Sequence, residues 1–247
     1  MKKEKVLSEL NRQYDIVCEK IPECRVIGIF LRGSQNYGLA NENSDIDSVA
    51  LIFPSKEEFI MNKEATNYTI EDGKENKIQI LDIRLFFNQL RKSSPNCLEL
   101  LFTEYYINNV DFGYDYHWNI LKMKADEIAY LDKDRLLQSY AGFVNTNMKQ
   151  FKNVESKRHK KGYQILRIWE LVKGILEGKA YSECLISKSP YTKMIKNKEV
   201  PADDLILDMG KVVCLKIDSQ PSFEKKDATI LDKLQKDMML FYMKKVF

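Results

Sequence analysis

The sequence predicts an α+β fold, with a small mixed β-sheet in the first half of the chain and a helical half behind it. Three observations carry that expectation. Residues 25–31 read Arg-Val-Ile-Gly-Ile-Phe-Leu, an apolar, β-branched run of one strand's length. Residues 66–70 and 77–84 flank Glu71-Asp72-Gly73-Lys74, a turn sequence between two strand patterns. Beyond residue 115 the apolar positions recur with a helical period. A chain of 247 residues buries a substantial core as one large domain or two modest ones. The expected division is 1–112 for the sheet-bearing domain and 113–247 for the helical one.

In chain order, Val6, Leu7, Leu10, Tyr14, Ile16 and Val17 predict a helix over residues 3–20, ended before Pro22. The first strand, 25–31, stops at the turn signal Gly33-Ser34. A polar segment, 35–43, leads to a second strand over 45–53, bounded by Ser44 and Pro54. Ser55, with Glu57 and Glu58 behind it, is a helix N-cap. After the hairpin come a helix over 85–92, another from Asn96, and a short strand within 104–110. Helices over 116–125, 132–153, 159–178 and 224–245 follow, with a short one after Pro201.

The composition is that of a globular protein, 44% hydrophobic and 30% charged. A net charge of +3 permits a phosphate-rich partner without demanding one. Five dispersed cysteines without a Cys-x-x-Cys pair, and two histidines distant from them, argue against a zinc site or a disulfide framework. Reduced thiols point to the cytoplasm. The N-terminus lacks a signal peptide's apolar stretch, and no window is apolar enough for a membrane span.

The chemistry concentrates in Gly33-Ser34 and Asp45-Ile46-Asp47. On a strand, residues two apart share a face, so Asp45 and Asp47 are expected side by side. Such carboxylates repel unless they share a proton or a divalent cation, and Mg²⁺ takes a few carboxylates together with water and substrate phosphates. Gly33 allows close backbone approach to a ligand. If Ser34 opens a helix, its hydroxyl and the following amides are placed for phosphate oxygens. Together these residues predict a site for a metal-bound nucleoside triphosphate. Alone, Gly33-Ser34 is an ordinary turn and Asp-x-Asp an ordinary loop; their spacing behind a buried strand gives them meaning.

This segment resembles the signature of the DNA polymerase β-like nucleotidyltransferase superfamily: an apolar strand ending in Gly-Ser, then ten residues (35–44), then Asp-apolar-Asp. Ser48 departs from the apolar residue usual after that motif, on a strand face expected to be half exposed. Asp82-Ile83-Arg84, Lys92 to Asn96 and Leu98-Glu99-Leu100-Leu101 are similar to the bacterial and phage branch that includes RNA-repair-associated polymerase-like proteins. That branch also carries Lys-x3-His-x2-Arg, matched here by Lys160, Gln164 and Arg167, with Gln164 in place of the histidine.

The resemblance implies a palm-like core over 1–112 and a helical domain closing a nucleotide cleft. It implies Asp45, Asp47 and Asp82 as catalytic and metal-binding carboxylates for two Mg²⁺ (or Mn²⁺) ions, with Asp82 the general base. Gly33, Ser34, Tyr37, Lys160, Gln164 and Arg167 become nucleotide-binding. The expected reaction is transfer of a nucleoside monophosphate from an NTP to an acceptor hydroxyl, with release of pyrophosphate. An RNA 3′ end is one such acceptor, and the basic run Lys149 to Lys161 offers contacts to a nucleic-acid backbone. Two alternatives remain: a non-catalytic, antitoxin-like module that binds nucleotide or nucleic acid, and a glycosyltransferase using Asp-x-Asp for a metal–nucleotide-sugar.

Overall fold

The computed structural model describes residues 3–42, 44–109 and 114–246. Its centre is a five-stranded mixed sheet in the order β3-β4-β2-β1-β5. The strands are β1 (Arg25–Leu31), β2 (Ser48–Phe53), β3 (Asn67–Glu71), β4 (Lys77–Asp82) and β5 (Tyr106–Asn108). β1 runs antiparallel to β2 and β5, and β3 antiparallel to β4. β2 and β4 are parallel, in the register Val49–Gln79 and Leu51–Leu81. The expected hairpin is present. The second strand begins at Ser48 rather than at residue 45, so both aspartates of the motif lie in the segment leading into it.

The two faces of the sheet are buried by different layers. Val26, Ile29, Leu31, Ala50, Ile52, Ile78 and Ile80 meet Val6, Leu10 and Val17 of α1 (Lys3–Lys20). With the buried Gln13, these α1 positions repeat every three to four residues, as one helix face requires. Ile27, Phe30, Val49, Leu51, Phe53 and Leu81 enter a larger core with the later helices. Val26 and Ile29 share a face although three residues apart, because the β1/β2 register slips between Val26 and Gly28. At Gly28 a Cβ would lie 2.7 Å from the Ile107 carbonyl oxygen, so only glycine admits β5 there.

The remaining helices are α2 (Lys56–Ile60), α3 (Ile83–Arg91), α4 (Pro95–Phe102), α5 (Tyr114–Met123), α6 (Ala125–Ala129), α7 (Lys133–Asn153), α8 (Arg158–Leu176), α9 (Tyr181–Leu185), α10 (Pro190–Lys196), α11 (Leu205–Asp218) and α12 (Thr229–Val246). Ser55 caps α2 in the expected way, in a reciprocal capping box with Glu58. The helices α6, α9 and α10 were not expected; each is short, and periodicity is weak over so few residues. The domain boundary expected at 112/113 lies outside the described residues, as does Val110. One apolar cluster joins Phe30 and Val49 of the sheet to Trp118, Tyr140, Ile168 and Tyr242 of the helical half. All five cysteines are free thiols. Among the described residues, no helix is long and apolar enough to cross a membrane.

Candidate active site

The ends of β1 and β2, the middle of the β3/β4 hairpin, α4, α7 and α8 enclose an open cavity of about 500 Å³. Gly33, Ser34, Tyr37, Asp47, Gln164 and Arg167 line it, and Asp45 is not on its wall. Gly33 sits at φ 97°, ψ −151°, a conformation essentially confined to glycine. A Cβ there would meet nothing within 4 Å, so the demand is conformational. Ser34 to Tyr37 form a single 3-10 turn, so the helix that Ser34 was to open is four residues long.

The carboxylate segment is held from three sides. The Gln13 side-chain amide donates to the Ile46 carbonyl (2.8 Å), and Ile46 N–H donates to Asn76 Oδ1 (3.0 Å). Lys77 N–H donates to Asp47 Oδ1 (2.9 Å), which aims that carboxylate along the sheet edge. Gln35 Nε2 donates to the Asp45 carbonyl (3.0 Å), and Asp45 itself is exposed. Ser48 is fully buried, correcting the expected half-exposed face, and its hydroxyl donates to Gln13 Oε1 (2.7 Å).

Behind this segment lies Asp72, whose carboxylate accepts from Arg12, Gln13, Asn76 and the Lys74 amide. Burial opposes its ionisation, but the hydrogen bonds and the Arg12 charge bring its pKa down to about 2. A depressed carboxylate contributes stability that is complete above its unfolded pKa and is lost as pH falls through the folded one. Unfolding followed from pH 5 to pH 2 should therefore show a loss of about 2 kcal/mol between about pH 4 and pH 2 that Asp72→Asn abolishes.

The floor of the cavity is a buried ion pair. Glu99 of α4 accepts from the Tyr37 hydroxyl and, at 3.5 Å, from Arg167 Nη1 of α8. The Arg167 guanidinium lies 3.6 Å from the centroid of the Tyr37 ring. Burial alone would depress the arginine's pKa, yet its surroundings, with the Glu99 carboxylate as the neighbouring anion, raise it on balance, so the cation persists. Burial, reinforced by Glu99, raises the Tyr37 phenol and keeps it neutral. Among the described residues Arg167 Nε has no partner, an orphaned buried donor beside an open cavity.

Two expectations need correction. Lys160 is exposed and is not on the cavity wall; its neighbour Lys161 is, and it donates to Gln164 Oε1 (3.2 Å). With Ile168 also on the wall, the 3.6-residue period steps back through 164 to 161 rather than 160. Asp82 is brought nowhere near the other two carboxylates. It pairs in register with Ile52, five residues beyond Asp47, about 16 Å along a strand. There it is fully buried, caps α3 through the Arg84 amide (2.8 Å) and forms an ion pair with Arg84 Nη2 (2.6 Å).

Several wall residues were not anticipated as site residues: Lys77, Gln79, Asn96, Glu99, Asn147, Lys161 and Tyr163. Three of them carried a sequence signal: Asn96 and Glu99 in the family-like segments, and Lys161 in the basic run. Lys196 of α10 lies beside the wall residue Tyr163. It donates to Ser44 Oγ (3.1 Å) and approaches the Tyr163 ring, and burial, opposed by Asp45, lowers its pKa to about 8.

The profile of the RNA repair pathway DNA polymerase beta family matches residues 2–182, from α1 into α9. No curated protein matches the chain. Among solved structures, a nucleotidyltransferase-like protein from Exiguobacterium sibiricum 255-15 aligns with 97% of this chain and 78% of its own, at 10% identity and a TM-score of 0.32. That superposition is too loose to decide anything about the site.

Proposed function

Because the chain belongs to the RNA repair pathway DNA polymerase beta family, we propose that it binds a nucleoside triphosphate in this cavity and transfers the monophosphate to an acceptor hydroxyl. The observation that carries the reading is the pairing of Asp47, fixed by the Lys77 amide, with an orphaned Arg167 donor across the same cavity. One wall suits a cation and the other an anion, as a metal–triphosphate requires.

Asp47 on the cavity wall, with the exposed Asp45 two residues before it, would hold one hydrated Mg²⁺ or Mn²⁺, which needs only one or two carboxylates when phosphates supply further oxygens. Bound there, the ion would orient the phosphates and neutralise their charge. Arg32, Lys161 and Arg167 hold the triphosphate, and Gly33 admits it close to the backbone. In the transfer the acceptor oxygen bonds to the α-phosphorus, the α–β bridging P–O bond breaks, pyrophosphate leaves, and the hydroxyl proton passes to solvent.

An RNA 3′ hydroxyl is the proposed acceptor. The exposed Lys149, Lys152, Lys157 and Lys160 lie at the α7/α8 junction that leads to Lys161 on the wall, a track for a phosphate backbone. The family assignment leaves no ground for the glycosyltransferase reading. A non-catalytic nucleotide-binding module remains the second reading, favoured by the absence of Asp82 from the site.

Incubation with Mg²⁺, each α-labelled NTP and pooled RNA tests the proposal. Label should move to RNA with the native chain, and Asp45→Asn/Asp47→Asn should weaken metal-dependent NTP binding at least about tenfold, or about 1.4 kcal/mol. Metal-dependent binding without label transfer would favour the second reading. No NTP binding would defeat both.

A further inference from the structure

We infer that this site takes one divalent cation rather than two, because the corner where a third carboxylate would complete a two-ion cluster is occupied by the Arg32–Gln79 pair. The inference rests on the nucleotide reading above and deepens it.

β4 lies beside β2 in parallel register, so the side chains of β4 that share a sheet face with Asp47 and Val49 are Lys77, Gln79 and Leu81. Leu81 is buried in the core under the helices. Lys77 and Gln79 line the cavity, and neither carries negative charge. A group reaching an ion on Asp47 from β4 must come from one of these two positions. Asp82, the acid on this strand, is at its far end and is spent on Arg84 and the α3 amide.

Gln79 is also unavailable as a neutral ligand. Arg32 Nη1 donates to its Oε1 (2.8 Å), and its Nε2 donates to Asn67 Oδ1 (2.8 Å), so the amide is fixed with its oxygen against a guanidinium. Arginine does not deprotonate in proteins, so a permanent positive charge stands against the β4 side chain that would have to serve a second ion. Arg32 also faces Asp47 across the β1/β2 edge, donating its backbone N–H to the Asp47 carbonyl (2.8 Å). Glu99 offers no substitute, because its carboxylate is already neutralised by Arg167 and Tyr37. Among the described residues, no group of three histidine, cysteine or acidic side chains is placed to hold a metal. Arg32 thus contributes in fixed form the positive charge that a second ion would bring.

The test counts Mn²⁺ by electron paramagnetic resonance and equilibrium dialysis, on the full chain saturated with α,β-methylene analogues of ATP and GTP. The native protein should hold one Mn²⁺ per bound nucleotide, without spin coupling between ions. The Arg32→Gln/Gln79→Glu variant, checked for native unfolding behaviour, should hold two, close enough to couple. Two coupled ions on the native chain overturn the inference and leave nucleotide binding standing. One ion on both proteins overturns the assignment of position 79 as the missing corner. No retained nucleotide and no retained Mn²⁺ overturn both this inference and the nucleotide reading beneath it.

Discussion

Arg167→Leu should destabilise the protein by about 3–5 kcal/mol, the usual consequence of leaving a buried partner charge uncompensated. Glu99 would keep only the Tyr37 hydroxyl, in a site where it is 6% exposed. For a chain of this size the loss corresponds to about 10 °C in Tm. Nucleotide affinity should fall as well, since the guanidinium is the cation at the cavity floor. These two effects separate in the double variant Arg167→Leu/Glu99→Leu. Replacing both charges by apolar groups restores much of the stability, because the desolvation cost of the pair disappears with it. It does not restore a cation for phosphate, so affinity stays low. Denaturant unfolding and NTP titration on the three proteins check the split. Recovery of affinity in the double variant would show that Arg167 acts only through the fold.

The ion pair explains why the helical half belongs to the site. Glu99 is carried by α4, packed near the sheet, and Arg167 by α8, four helices further along the chain. Tyr37 arrives from the turn after β1 and lies against both. One side of this cluster closes the core and the other faces the cavity, so packing of α7 and α8 sets the position of a cavity-facing cation. The Gln13–Asp72 network does the same for the carboxylates from the opposite side, through α1 and the β3/β4 turn.

The sequence displayed the strands, the hairpin and the long helices, because each has a period or a β-branched run of its own. It also displayed Gly33, Asp45 and Asp47, since their spacing needs no tertiary information. Direction of pairing was a different matter. Asp82 closes β4, and had β4 run antiparallel to β2, its carboxylate would have arrived beside Asp47. The pairing is parallel, which brings the Lys77 end of β4 there instead. Nothing in a single strand's residues specifies that choice; it follows from the crossover through α2 and β3. β2 starts at Ser48 rather than at residue 45 for a related reason. Ile46 makes its backbone hydrogen bonds with the side chains of Gln13 and Asn76, supplied from distant parts of the chain, so an extended stretch remains outside the ladder.

Asp82→Ala is the sharpest check on that topology, and the expected result is a loss of stability with the nucleotide site intact. The substitution removes the α3 cap, worth about 0.5–2 kcal/mol, and breaks a pair in which the carboxylate is fully buried. Arg84 is partly exposed and recovers some hydration, which places the total at about 2–4 kcal/mol, below the Arg167 effect. Asp82→Asn should cost less, because the amide oxygen still accepts from the Arg84 N–H and only the ionic part is lost. At a temperature where both variants are folded, their affinity for the Mn²⁺–nucleotide should stay within twofold of native, since the side chain is about 16 Å along the strand from Asp47. A third metal carboxylate would behave in the opposite way, with affinity or ion count falling while the unfolding midpoint held. Measuring both quantities on the same two variants therefore decides whether β4 lies parallel to β2, and with it which β4 side chains lie beside Asp47.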